Sequence, residues 1–400
     1  MLGIWPTLPI VVDNLRGLNL KLDSHQQPPI VENTTAALGH RDRICRISLG
    51  NLPLPLLDRF TALMDESFPA LTHLYLGTDF ELAPDLPDGF LGGSAPHLRS
   101  FILEYIPFPA LPKLLLSTGN LVGLYLSRMP HSGYIPPESM VICLSSLTRL
   151  ETFSLAFDSP RSRPDQSGRH SSSFTRVDLP VLIKLSFWGV SEYIEDLVAR
   201  INAPLLFDVW MEFYNRLLFD ISQLRQFIGR IVNFKVLHHA EVKFTDRDVT
   251  LKLYPYESTA GDTSLVLRIF SNQSEWQLSS LSELCASLSS SFPPSSLECL
   301  ILSTDKLPGH WYDDMDSVQW LELFQPFATV KDLYIDEELA PRVVRALREL
   351  ASERATEVLP AIESIFVEGH QQFGAIQETI KSFIAARQLL GHPVAIHLWE

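Results

Sequence analysis

Positive charge, cysteine and long apolar runs are all scarce in this chain. Its 400 residues carry 32 lysines and arginines against 47 aspartates and glutamates, a formal charge of −15 at pH 7. A nucleic-acid binder needs a basic footprint that releases counterions, so DNA and RNA are excluded as main partners. Cysteine occurs four times, at Cys45, Cys143, Cys285 and Cys299, and no two of these stand in C-x-x-C spacing. That is neither a disulfide framework nor a metal or redox motif, and it suits a reducing, intracellular setting, cytoplasmic or nuclear. No run reaches the roughly 18 apolar residues of a membrane-spanning helix, so no membrane partner is expected. Met1 to Leu15 lacks a basic start and a small-residue cleavage site and carries Pro6, Pro9 and Asp13. It does not read as a secretory signal.

Chemical motifs are missing as well. The chain has no G-x-x-x-x-G-K-[ST], no G-x-G-x-x-G and no H-E-x-x-H, which removes the common phosphate cradles and the zinc-protease helix. Leu91-Gly92-Gly93-Ser94-Ala95 lacks the G-x-S-x-G order of a nucleophile turn. Asp313, Asp314 and Asp316 lack the spacing and distal glutamate of a calcium loop. His238 and His239 are neighbours, so on a strand they point to opposite sides. Nothing assembles into an acid, a base and a nucleophile. The expectation is a protein that is not an enzyme and uses no cofactor or metal.

What the chain does have is leucine, at 64 of its 400 residues. An apolar-x-x-apolar-x-apolar hexad recurs. It reads Leu15-Leu18-Leu20, Ile44-Ile47-Leu49, Leu71-Leu74-Leu76, Leu98-Phe101-Leu103, Leu121-Leu124-Leu126 and Leu150-Phe153-Leu155. It continues as Leu182-Leu185-Phe187, Leu206-Val209-Met211, Leu237-Ala240-Val242, Leu297-Leu300-Leu302, Val330-Leu333-Ile335 and Ile362-Ile365-Val367. First positions lie 23 to 33 residues apart, except for one gap of 60 between Leu237 and Leu297. The last two apolar residues of a hexad are two apart and share one face of a strand. Helical periodicity fills stretches between hexads, as in Leu56 to Glu66, Glu192 to Ile201, Phe219 to Ile231 and Trp276 to Leu288. Val318 to Phe327, Ala340 to Leu350 and Phe373 to Leu390 show it too.

A strand and a helix repeating about every 28 residues is the pattern of a leucine-rich repeat. The predicted fold class is α/β. It is a single leucine-rich-repeat solenoid over residues 1–400, a horseshoe with a concave parallel sheet and convex helices. A (β/α)₈ barrel would need strands buried on both faces and eight of them. These strands interleave polar residues, and there are twelve hexads. The asparagine that usually follows such a strand is replaced, for example by Leu52, Asp79, Ile106 and Met129, so an irregular solenoid is expected. Residues 158–176, rich in Ser, Arg and Pro, read as a flexible loop. Residues 249–271 read as a hairpin-like insertion around a turn-rich linker.

The hexad position between the last two apolar residues should face the open, concave side. Seven of the twelve such positions are aromatic or isoleucine: Tyr75, Ile102, Tyr125, Trp210, Ile301, Tyr334 and Phe366. Two residues further on stand Glu104, Trp188, Glu212, Lys243, Asp336 and Glu368. Rigid rings edged by charge suit a protein-binding face. The candidate binding residues are Tyr75, Ile102, Tyr125, Trp188, Trp210, Glu212, Tyr334, Asp336 and Phe366. Rings on adjacent strands would also pack against one another without any ligand.

Several stretches outside the hexads carry a resemblance. They include Phe68-Pro69-Ala70-Leu71-Thr72, Phe90-Leu91-Gly92-Gly93-Ser94-Ala95-Pro96 and Ile106-Pro107-Phe108-Pro109-Ala110-Leu111-Pro112. Ser159-Pro160-Arg161-Ser162-Arg163-Pro164, Trp320-Leu321-Glu322-Leu323 and Ala385-Ala386-Arg387-Gln388 are others. Together the chain from about residue 35 onward resembles the F-box-type leucine-rich-repeat proteins expanded in mushroom-forming fungi. That resemblance implies repeats that hold a client for a cullin ubiquitin ligase. The Skp1 adaptor and cullin would be partners only if an F-box stands upstream, because the first fourteen residues are too few for one. Otherwise the expected partner is an unidentified protein client, bound by a monomer. The alternative is a ligand-sensing repeat protein without a ligase role.

Overall fold

Several repeats begin with a tight turn closed by the first apolar residue of the hexad. The amide of Leu71 donates to the carbonyl of Phe68, Leu98 to Ala95, Leu121 to Thr118, Leu150 to Leu147, Val330 to Phe327 and Ile362 to Leu359. That residue is buried, which fixes the direction in which the following strand leaves. The computed structural model describes residues 9–13, 28–80, 83–159, 176–214, 221–255, 264–271, 274–289, 297–305, 317–350, 355–369 and 373–399. Where the sequence predicts one domain, the chain divides into two compact units, Met1–Leu205 and Leu206–Glu400. The hexad at Leu15, the loop at 160–175 and Asp313, Asp314 and Asp316 lie outside the described residues.

The first unit runs β1 (Ile10–Asp13), α1 (Pro28–Leu38), β2 (Ile44–Leu49), α2 (Leu54–Leu63), β3 (His73–Gly77), β4 (Ser100–Glu104) and α3 (Leu111–Leu115). It continues β5 (Gly123–Met129), α4 (Pro137–Ser146), β6 (Thr152–Phe157), β7 (Val177–Asp178), β8 (Lys184–Gly189), α5 (Ser191–Val198) and β9 (Ile201–Asn202). Strands β1 to β6 and then β8 lie side by side in chain order, and all pairs are parallel. The two-residue strands β7 and β9 pair separately. Among the described strands β1 pairs with β2 alone.

The second unit runs β10 (Asp208–Tyr214), α6 (Ser222–Arg230), β11 (His239–Phe244), β12 (Asp248–Tyr254), β13 (Ser264–Phe270), α7 (Ser274–Ser289) and β14 (Cys299–Thr304). Then come α8 (Ser317–Phe324), β15 (Asp332–Ile335), α9 (Ala340–Glu349), β16 (Ser364–Glu368), α10 (Phe373–Leu389) and β17 (Ala395–Trp399). Here spatial order departs from chain order. It reads β10, β13, β12, β11, β14, β15, β16, β17. The antiparallel pair β12 and β13 is inserted inside the sheet, antiparallel to β11 on one side and parallel to β10 on the other. The gap of 60 residues is therefore filled by two ladder strands.

Alternation then sorts the side chains. Core-facing residues such as Leu74, Leu76, Phe101 and Leu103 are at most 1% exposed, and each contributes about 1.5–3 kcal/mol by leaving water. Helices cover this face. Tyr193 of α5 meets Phe157 of β6 and Phe187 of β8 at 4.9 and 5.8 Å, and Trp320 of α8 meets Phe244 of β11 at 5.8 Å. Parallel strands with helices on one face make the chain α/β. Past the strand ends, main-chain bonds replace the missing asparagine ladder. Leu52 donates to Gly77, Thr78 to Glu104, and Tyr105 to Ser127. Asn51, Tyr105 and Arg128, each two residues past a hexad, turn the chain through positive φ of 52°, 58° and 51°, a conformation that costs a non-glycine residue about 1 kcal/mol or more.

Candidate interaction faces

The non-core positions of the strands line up across each sheet. In the first unit one row reads Ser48, Tyr75, Ile102, Tyr125, Ser154, Ser186 from β2 to β8. Tyr75, Ile102 and Tyr125 are half-buried. The tyrosines lie down on backbone that carries no side chain. A Cβ at Gly50 or Gly77 would sit 2.8 or 2.9 Å from Tyr75, and one at Gly123 would sit 2.8 Å from Tyr125. The Tyr75 hydroxyl donates to Glu104 at 3.0 Å. Trp188 of β8 is half-buried beside Ala156, at one end of the next row.

His73 stands two residues before Tyr75. Thr72 donates its hydroxyl proton to the Cys45 carbonyl at 2.8 Å and so accepts from His73 Nδ1, also at 2.8 Å. Burial, with Arg46 and Arg99 nearby, holds the His73 imidazole below its usual pKa.

In the second unit the central row reads Trp210, Val266, Lys252, Glu241, Ile301, Tyr334, Phe366, His397. Its β10 end is a charge network. Glu212, only 5% exposed, accepts from Trp210 Nε1 at 2.6 Å and from Arg268 at 3.2 Å. Arg268 also lies 3.6 Å from Asp248, donates to Thr250 at 3.1 Å, and sits 5.4 Å over the Trp210 ring. Its β17 end is aromatic. Tyr334 stacks on Phe366 at 4.4 Å and 7°, and Phe366 on His397 at 5.1 Å. Trp399 reaches across β16 to meet Tyr334 edge-on at 5.3 Å.

Two predicted site residues have other partners. Glu212 is buried within the network above. Asp336 is buried and holds the turn into α9, accepting from the Leu339 amide at 2.9 Å and from Thr304 at 2.6 Å. Burial pushes the Asp336 carboxyl above the usual range, against the pull of those bonds. The remaining predicted residues divide between the two units. Arg268, Asp248, Lys252, His397 and Trp399 were not among them. The alternation of Ser264 to Phe270 marks a strand, but its neighbour in the sheet is set by pairing far along the chain.

Three of the cysteines are poor nucleophiles. Burial pushes the thiol of Cys143 up to about 11 and those of Cys285 and Cys299 to about 12, so they stay protonated near neutrality. Among the described residues no cluster of histidine, cysteine and carboxylate could hold a metal, and no helix is long and apolar enough to cross a membrane.

No protein-family model and no curated protein matches the chain. It is similar to the crystal structure of the leucine-rich repeat-containing protein LegL7 from Legionella pneumophila. The identity is 12% over 86% of this chain and 93% of that one, with a TM-score of 0.30. At that score the likeness carries no argument, and the α/β architecture rests on the strands and helices above.

Proposed function

We propose that the chain is a non-enzymatic protein-interaction module that holds its clients on the open faces of its sheets. The architectural reading that goes with it is the leucine-rich-repeat horseshoe. The observation that carries it is the set of half-buried rings on the non-core side of the strands: Tyr75 and Tyr125 flanking Ile102 in the first unit, and Trp210 with the stacked Tyr334 and Phe366 in the second. Such rings supply contact area at low entropic cost and dominate interface energetics. The resemblance to F-box-type repeats supports reading it as the client-binding part of a ubiquitin-ligase receptor, and the sparse, unpaired cysteines support an intracellular setting.

Affinity purification with mass spectrometry tests this. A reproducible client is expected with the wild-type chain and not with a Tyr125→Ala, Trp210→Ala, Tyr334→Ala triple variant that still unfolds cooperatively. Hot-spot rings of this kind are each worth about 2 kcal/mol or more. Capture unchanged by the triple sinks the interaction-face reading. Skp1 and cullin beside the client support the ligase role, and a client without them supports a bare binder.

A further inference from the structure

Strand β17, Ala395-Ile396-His397-Leu398-Trp399, stands last in the spatial order of the second unit's strands. Its register with β16 puts Ile396 beside Ile365 and Leu398 beside Val367, on the core side. Ile365 and Val367 are 0% exposed, whereas Ile396 and Leu398 are only half-buried. The amide of Ala395 donates to the carbonyl of Glu363. Main-chain groups alternate along a strand, so those of His397 and Trp399 also face β16, and those of Ile396 and Leu398 face away from it. Among the described residues no strand meets them there. Outward main-chain groups beside half-covered apolar side chains are a template for another strand, and proteins that leave such an edge alone blunt it with charge, proline or a bulge. Strand β1 of the first unit carries two of these devices, Asp13 and a register shift between Ile10 and Val11. Strand β17 has no proline, no carboxylate, no lysine or arginine, and an unbroken register.

The strand is also complementary to itself. Turned about a two-fold axis at His397 and laid antiparallel, it sets Ile396 against the second copy's Leu398 on the core side. On the open side it sets Ala395 against the second copy's Trp399, a small residue against a large one. Ile396 and Leu398 then exchange main-chain bonds, four in all by symmetry. The exposed His397 meets its own copy on the axis in the closer, non-hydrogen-bonded pair, about 4.5 Å between Cα atoms. We propose that the protein forms a two-fold dimer by antiparallel pairing of β17 with β17 of a second copy. The contact uses the same surface on both copies, so it closes at two. It replaces the monomer expected from the sequence and does not depend on any client. Each copy carries a net charge of −15, so the contact should tighten as salt screens the repulsion.

Analytical ultracentrifugation of the full chain over about 1 to 100 µM, where a small interface associates, should show monomer and dimer only. Leu398→Pro removes two of the four bonds and spares those to β16, since proline is tolerated where the amide faces outward. It should weaken the dimer about thirtyfold, as the loss of two main-chain hydrogen bonds does. Val11→Lys on β1 should change it less than about twofold, because distant sites act independently. Disulfide trapping reads the register, in a Cys45→Ser background because the other three thiols are buried. His397→Cys should give a covalent dimer on mild oxidation, since a Cα separation of about 4.5 Å suits a disulfide. Ala395→Cys should not, because its two copies lie about 13 Å apart across the axis. Thermal melts confirm that each variant folds. A monomer at every concentration, equal trapping by the two cysteines, or a dimer indifferent to Leu398→Pro overturns the proposal. Assemblies larger than a dimer overturn it as well, because they require pairing with a different surface. Client capture is measured separately, so each of these outcomes leaves the interaction module in place.

Discussion

The open face of the first sheet is seated on glycine, and that of the second is wired by charge. Tyr75 and Tyr125 lie against Gly50, Gly77 and Gly123, so their position depends on the absence of three methyl groups. Trp210 is held by Glu212 and Arg268, so its position depends on a buried carboxylate with a cationic partner. The same strand-and-turn repeat therefore orients its rings in two physically different ways. One is sensitive to volume and the other to charge.

The largest effects should follow from removing charge in the second unit. Arg387 of α10 is fully buried and donates to the carbonyls of Ala355, Leu359, Pro360, Ile362 and His392. Arg387→Met leaves these acceptors unsatisfied and should cost about 4 kcal/mol in urea unfolding, given the penalty for orphaned buried groups. Loss of less than about 1 kcal/mol would mean that the carbonyls find other donors. Next comes Arg268→Met, which strands Glu212. The arginine side chain is 32% exposed, which tempers the usual cost of breaking a buried pair to about 2 kcal/mol. Adding Glu212→Leu should recover most of it. A double variant as unstable as the single one would show that the network does not isolate Glu212.

The glycine side of the comparison predicts smaller changes with a distinct signature. Gly50→Ala should cost about 1 kcal/mol through overpacking against Tyr75, and the cost should vanish in a Tyr75→Ala background. Additive effects in that cycle would place the strain elsewhere. The smallest effect concerns pH and one histidine on each face. His73 and His239 both have pKa values held below 6.5, chiefly by burial. Arg46 and Arg99 add to this at His73, and His238 adds at His239, where Asp332 and Glu298 partly oppose it. A depressed histidine pKa means the fold prefers the neutral ring. Its contribution is complete above the unfolded value and is lost as pH falls through the folded one. His73→Gln and His239→Gln should each make the decline in melting temperature below pH 6.5 shallower than in the wild type. Parallel curves would contradict the assignment.

How much of this the sequence discloses depends on the range of the interaction. Eleven hexads, from Ile44-Ile47-Leu49 to Ile362-Ile365-Val367, each fall on a described strand, because a two-residue period and a buried turn residue are local. Strand β17 escaped that pattern. Ile396 and Leu398 match the last two positions of a hexad, but Pro393 stands where the first apolar residue would be. Helix α3 has five residues, too few to show a 3.6-residue period. The alternation of β12 and β13 was legible as a hairpin, but the place of β13 beside β10 was not, since that pairing joins residues as far apart in the chain as Asp208 and Ser264. Position on the open face was likewise legible for Tyr334 and Phe366. The bonds that bury Glu212 and engage Asp336 as a cap were not, because their partners Arg268 and Thr304 come from other strands.

The most direct test places a photo-crosslinking benzoylphenylalanine at Tyr125 and at Phe366 on the sheets, and at the exposed helix positions Ile142 and Val318. Irradiation with a captured client should yield adducts from the sheet positions and none from the helices. Adducts from Ile142 or Val318 alone would contradict the assignment of the sheet faces as the working surface.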